Sequence, residues 1–168
     1  DATTDELTVD TALPAVALFD IADATPTNAD SVNFTLNFDE PVTGLDSTDF
    51  TVIVDGIPQD EMSKPIGGLL LNHTVSGSGD AYAIAVETGT GDGTIGLRLK
   101  IDDSIMDIAG NLLPVGLDSA NVYTLDRTPP TIQITSKEVD PTSANPIPVM
   151  VTFSENIGSF SPAEVQLT

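Results

Sequence analysis

The sequence predicts an all-β fold: a two-sheet antiparallel sandwich of Greek-key type, repeated in tandem. Three observations carry that expectation: side chains that alternate with a period of two, turn-forming clusters between the alternating runs with no sustained helical period, and an internal copy. In the copy, Leu7–Val16 realigns on Tyr123–Ile132, 116 residues further on. With one residue dropped, Pro26–Ala29 falls on Pro141–Ala144 and Phe34–Glu40 on Val149–Glu155. A period of this size means an array of domains rather than one large fold. The chain then divides into the last strand of a preceding repeat (residues 1–10), one complete repeat (11–126) and the first strands of the following one (127–168).

Taken in order, the expected strands begin with Ala15–Phe19. Val32–Phe38 is the clearest, because Val32, Phe34, Leu36 and Phe38 share one face and Asn33, Thr35 and Asn37 the other. That is the pattern of a half-buried antiparallel strand. Phe50–Val54, Leu69–Val75, Tyr82–Val86, Ile95–Ile101 and Val122–Leu125 complete the repeat, and Ile132–Ile134, Val149–Phe153 and Val165–Leu167 belong to the next copy. Gln59–Gly68 reads as a surface insertion. At Asp126-Arg127-Thr128-Pro129-Pro130 two prolines cannot donate to a ladder, so a short, stiff joint follows Leu125.

Composition narrows the class further. With 40% hydrophobic residues, a domain of this length can build a core. Cysteine is absent, which removes disulfides, cysteine-based zinc sites and thiol catalysis together, and suits a bacterial or archaeal surface protein better than a secreted vertebrate one. Twenty-six acidic against five basic residues give a formal charge of −21. Such a charge disfavours nucleic acid and anionic membranes as partners and favours cations, or else makes a solvated, salt-adapted surface. No hydrophobic run approaches the roughly 20 residues of a membrane span, so direct membrane insertion is not expected. No secretory signal opens the chain, which reads as mature sequence or an internal fragment.

Six motifs in order carry a family resemblance: Val32–Val42, Leu45–Phe50, Val75–Gly79, Gly89–Leu97, Asp102–Asn111 and Asp126–Pro130. Together they resemble the bacterial Ig-like repeats of large surface adhesins and cadherin-like cell-surface proteins. The resemblance covers the whole central repeat. It implies an Ig-like sandwich in tandem, extracellular or at the cell surface, that extends a protein from the cell for adhesion, often with calcium at the domain joints. Neighbouring Ig-like repeats, in the same or an adjacent chain, are the implied partners. The second copy departs from the pattern, with Ser154 in place of Asp39 and Asn156 in place of Pro41.

Calcium takes six to eight oxygen ligands. Asp102, Asp103, Asp107 and Asn111 offer four suitable groups within ten residues, on a loop tied off by Gly110. Asp39 and Glu40, at the end of the second strand, and Asp126 in the linker are expected at the same pole, since loops gather at the two ends of a sandwich. The loop is not an EF-hand, whose spacing and closing Glu are missing. The same Asp and Asn residues also suit an ordinary turn. Catalysis is not expected: the lone His73 follows an apolar run without a nucleophile motif. Carbohydrate binding by stacking has poor support, because Phe34, Phe38 and Phe50 lie in the strand patterns and leave chiefly Tyr82 and Tyr123 as platforms. Two functions remain open: a calcium-stiffened spacer in an adhesin, and a subunit of an extracellular fibre assembled by strand complementation.

Overall fold

A computed structural model describes residues 8–59, 72–161 and 163. Two compact units divide the chain, Asp1–Arg127 and Thr128–Thr168. The strands of the first unit are β1 (Val16–Ile21), β2 (Ser31–Thr43), β3 (Phe50–Val54), β4 (Ile57–Pro58), β5 (His73–Glu87), β6 (Gly93–Leu99), β7 (Met106–Asp107), β8 (Leu117–Asp118) and β9 (Tyr123–Leu125). In one sheet β2 lies between β1 and β5, and β7 also pairs with β2; in the other the order is β4-β3-β6, with β8 and β9 both on β6. Every strand pairing is antiparallel.

The alternation in β2 is realised as expected. Val32, Phe34, Leu36 and Phe38 are buried, while Asn33 is exposed and Thr35 and Asn37 are half-buried. Opposite them stand Val52 and Val54 of β3, Ile95, Leu97 and Leu99 of β6, and Tyr123 and Leu125 of β9, all in one core. Contacts between rings cross from sheet to sheet: Phe34 meets Tyr123 edge-on at 5.2 Å and Phe19 meets Phe50 at 6.3 Å. The layers therefore form a sandwich-like, all-β body around apolar side chains, as the period of two requires.

Tyr123 joins the layers by polarity as well. Its hydroxyl donates to the Asn33 carbonyl and accepts from the amides of Ala22 (2.9 Å) and Asp23 (2.8 Å), so a wholly buried phenol satisfies backbone groups of the β1–β2 connection. This removes Tyr123 as a carbohydrate platform. Tyr82 is half-buried too, its ring edge-on to Phe38 at 6.0 Å and its hydroxyl donating to the Val42 carbonyl.

Three features differ from the expected strand list. β5 folds back on itself: the Glu87 amide donates to the Asn72 carbonyl (3.0 Å), and Ser76 reaches the Ala83 carbonyl. Gly77, at φ +112°, lies so close to Ala81 that an added Cβ would sit 2.3 Å from its carbonyl oxygen, so the turn needs glycine there. β6 ends at Leu99 rather than Ile101, because the Lys100 amide turns to the Asp49 carbonyl (2.7 Å). The two-residue strands β4, β7 and β8 have too little length to show a period. Leu69–Leu71, most of the Gln59–Gly68 insertion and Val165–Leu167 lie outside the described residues.

The second unit contains β10 (Ile132–Thr135) and β11 (Met150–Phe153), an antiparallel pair. Its register starts as in the first unit and then diverges, because β1–β2 shifts between Val16 and Leu18 and sets Leu18 rather than Ala17 against Asn37, whereas Gln133 stays opposite Thr152. Ile132 pairs with Phe153, and their sequence counterparts Val16 and Phe38 pair in β1–β2. The Thr142 hydroxyl accepts from the Ala144 amide at 3.1 Å, as Thr27 does from Ala29 at 3.2 Å.

Candidate cation site

The candidate site lies where β2 changes partner. Along one edge β2 pairs with β1 as far as Phe38; beyond it, Val42 and Thr43 pair with β7. Pro41 has no amide to offer a ladder, and the register shifts between Asn37 and Val42. The segment leading into β1 follows this edge, with the Asp39 amide donating to the Ala15 carbonyl (3.0 Å) and the Ala15 amide to Asp39 Oδ1 (2.8 Å). Asp10 is thereby brought beside Glu40 and Asp107. One carboxylate oxygen from each of these three residues lies within 4.8 Å of the others.

Asp107 is held firmly. Its Oδ1 accepts from the Asn111 amide (2.8 Å) and its Oδ2 from Asn111 Nδ2 (2.8 Å), closing the five-residue turn that contains Gly110 at φ +92°. Asn111 Nδ2 also reaches the Asp10 carbonyl (3.3 Å). Asn111 thus turns its amide nitrogen toward the acids and acts as their organiser. The ordinary turn that the Asp and Asn pair suits is present, and of the four groups this loop was expected to offer only Asp107 joins the carboxylate cluster. On the other flank the Ala12 amide donates to Asp10 Oδ1 (3.0 Å), which sets the aspartate in a local turn.

The electrostatics follow from the crowding. Desolvation first, then the charges of Asp107, Asp10 and Asp39, raise the pKa of Glu40 above its ordinary 4.5. Asp107, although desolvation pushes it upward, is held below the usual carboxylate range by the hydrogen bonds from Asn111 and the turn amides. Three close carboxylates, with Asp10 exposed, Glu40 half-buried and Asp107 buried, match the oxygen chemistry of a hard cation such as calcium.

The other expected ligands go elsewhere. Asp102 accepts from the Ser104 hydroxyl (2.5 Å) and amide (3.1 Å), and the same hydroxyl bonds the buried Asp49 at 3.0 Å. Asp49 is fixed by the short helical turn Ser47–Asp49, where it and Asp46 form a capping box. Burial raises the pKa of Asp49, whereas Ser104 lowers that of Asp102. Ile105, buried between Asp102 and Asp107, turns the two aspartates to different surroundings, so the loop does not close all its acids on one point. Asp103 is exposed in a left-handed conformation, at φ +62°.

Asp126 lies at the opposite pole. It follows β9, which pairs with the start of β6, and its amide bonds the Thr27 carbonyl (3.0 Å). Its neighbour Arg127 pairs with Asp30, just before β2 begins. Glu40 is nine residues along that strand from Ser31, roughly 30 Å at the rise of an extended chain. The linker aspartate that does reach Glu40 is Asp10, the counterpart of Asp126 in the 116-residue repeat. The signal was present in the alignment of copies, which puts Asp10 one residue ahead of the copy whose second strand carries Glu40.

His73 engages structural neighbours, with Nε2 2.8 Å from the Ser47 carbonyl oxygen and its ring edge-on to Phe50 at 6.3 Å. Compared with known proteins, the chain matches no family model, no curated protein and no solved structure.

Proposed function

We propose that this chain is a stretch of tandem Ig-like Greek-key sandwiches that serves as a non-catalytic spacer in a prokaryotic surface adhesin, extending it from the cell and stiffened by calcium. One observation carries the reading. Asp10, an inter-repeat residue by the alignment of copies, shares a carboxylate cluster with Glu40 and Asp107 of the sandwich body. A divalent ion there would tie the incoming linker to the fold and neutralise the repulsion that raises Glu40. At calcium ten to a hundred times above a dissociation constant in the weak extracellular range, mass action contributes about 1.4–2.7 kcal/mol. Melting the 168-residue chain with calcium and with chelator, at fixed ionic strength, tests it. The reading requires a higher melting temperature with calcium; equal temperatures would leave the acids as a solvated surface.

A second reading, a fibre subunit completed by strand addition, is favoured by the second unit. Ile132, Ile134, Val149 and Met150 of its hairpin and flank are each more than half exposed. Sedimentation over a wide concentration range separates the two readings, since fibre assembly requires growth into ordered multimers and the spacer does not.

A further inference from the structure

Arg127 leaves the strand direction of β9 and turns its side chain back onto the first sandwich. Its Nη2 donates to the Ala29 carbonyl (2.7 Å) and to the Thr88 hydroxyl (2.6 Å), and its Nη1 lies 3.1 Å from Asp30 Oδ1. Thr88 is fully buried and itself donates to the Ala29 carbonyl (2.6 Å), so the guanidinium caps an existing network. The backbone is held on the same side, with the Arg127 amide donating to Asp92 Oδ1 (2.6 Å) and the Asp126 amide to the Thr27 carbonyl (3.0 Å). Although Asp30 is almost wholly exposed, the arginine side chain is only 19% exposed. The grip therefore rests on Nη2, which holds both Ala29 and Thr88, more than on the Nη1 ion pair, which solvent screens.

We infer that Arg127 is a latch that fixes the direction in which the chain leaves the first sandwich, independently of any cation. Asp126 and Arg127 belong mechanically to the body they follow, ahead of the stiff Pro129-Pro130 pair. The cation cluster, by contrast, acts at the far pole, on the segment that enters the sandwich. The counterpart of Arg127 at the preceding joint is Thr11, which has no guanidinium, so the two joints are not equivalent.

Amide hydrogen exchange on the whole chain, with chelator present throughout, isolates the latch from the calcium reading. In R127Q the amides at 126 and 127 are expected to exchange roughly tenfold faster, the scale of one lost charge-assisted hydrogen bond, while those of Leu97 and Ile84 keep their protection. R127K is expected to behave like R127Q, because an ammonium keeps the charge but cannot present the same fork. Unchanged exchange at 126 and 127 would overturn the latch. Equal loss of protection throughout the sandwich would overturn it too, by making Arg127 a general support of the fold, and full rescue by R127K would reduce it to a charge pair with Asp30.

Discussion

The hairpins β1–β2 and β10–β11 are copies in sequence and share their first residue pair, yet their burial differs. Phe34, Leu36 and Phe38 are at most 4% exposed, whereas Val149, the counterpart of Phe34, is 54% exposed. Strand pairing follows from local alternation and turn chemistry, which both copies possess. Burial follows from a second sheet, which in the first unit is supplied by β3, β6 and β9. A copy of the strand pattern therefore specifies an antiparallel hairpin, while the second sheet decides what the pairing stabilises.

The sharpest way to break this comparison is to truncate equivalent positions. Phe34→Ala should destabilise the first unit by about 3–5 kcal/mol, through lost transfer free energy and the cavity left among Phe19, Ile84 and Tyr123. Val149→Ala should change stability by less than about 0.5 kcal/mol. Chemical denaturation of both variants checks it, and equal costs would mean that the second hairpin is as well covered as the first. Between these extremes, Tyr123→Phe removes the buried partner of the Asp23 amide, while the Ala22 amide and the Asn33 carbonyl keep their mutual bond (2.9 Å), and should cost about 1–3 kcal/mol. At the small end, Asn37→Ala should cost no more than about 0.5 kcal/mol by the same assay. A cost like that of Phe34→Ala would mean that the register of β2 is wrong.

The poles of the sandwich differ in a way that pH exposes. Glu40 has a raised pKa, so its protonated form is the one the fold prefers; that stability is present below its ordinary 4.5 and is lost as pH rises through the raised value. Glu40→Gln imitates the protonated state. In chelator the melting temperature of E40Q should therefore exceed that of the wild type near neutral pH, and the gap should close on acidification below 4.5. A gap that is constant with pH would show that neither desolvation nor the charges of Asp107, Asp10 and Asp39 raise the pKa of Glu40.

Much of the fold was legible because β2 displays its period over seven residues, and the same regularity marks β3, β6 and β9. The turn in β5 was signalled by Gly77-Ser78-Gly79-Asp80, although alternation alone treats its arms as separate strands. β7 was not legible: two residues carry no period, and its place beside β2 is set by tertiary pairing. The site was half legible for that reason. Asp107, Asn111 and Glu40 could be nominated by type and spacing. Their convergence with Asp10 depends on where β1 yields to β7 along one edge, and the separation of Asp102 depends on the buried Asp49 that draws Ser104 toward it.

The measurement that tests the central claim most directly is a calcium titration of melting temperature in the wild type, D10N and D126N, at fixed ionic strength. If Asp10, just ahead of the repeat, completes a cation site with Glu40 and Asp107, calcium should raise the melting temperature of the first unit in the wild type and in D126N, and the rise should be largely lost in D10N. A wild type indifferent to calcium, or a response abolished by D126N and intact in D10N, would contradict the account.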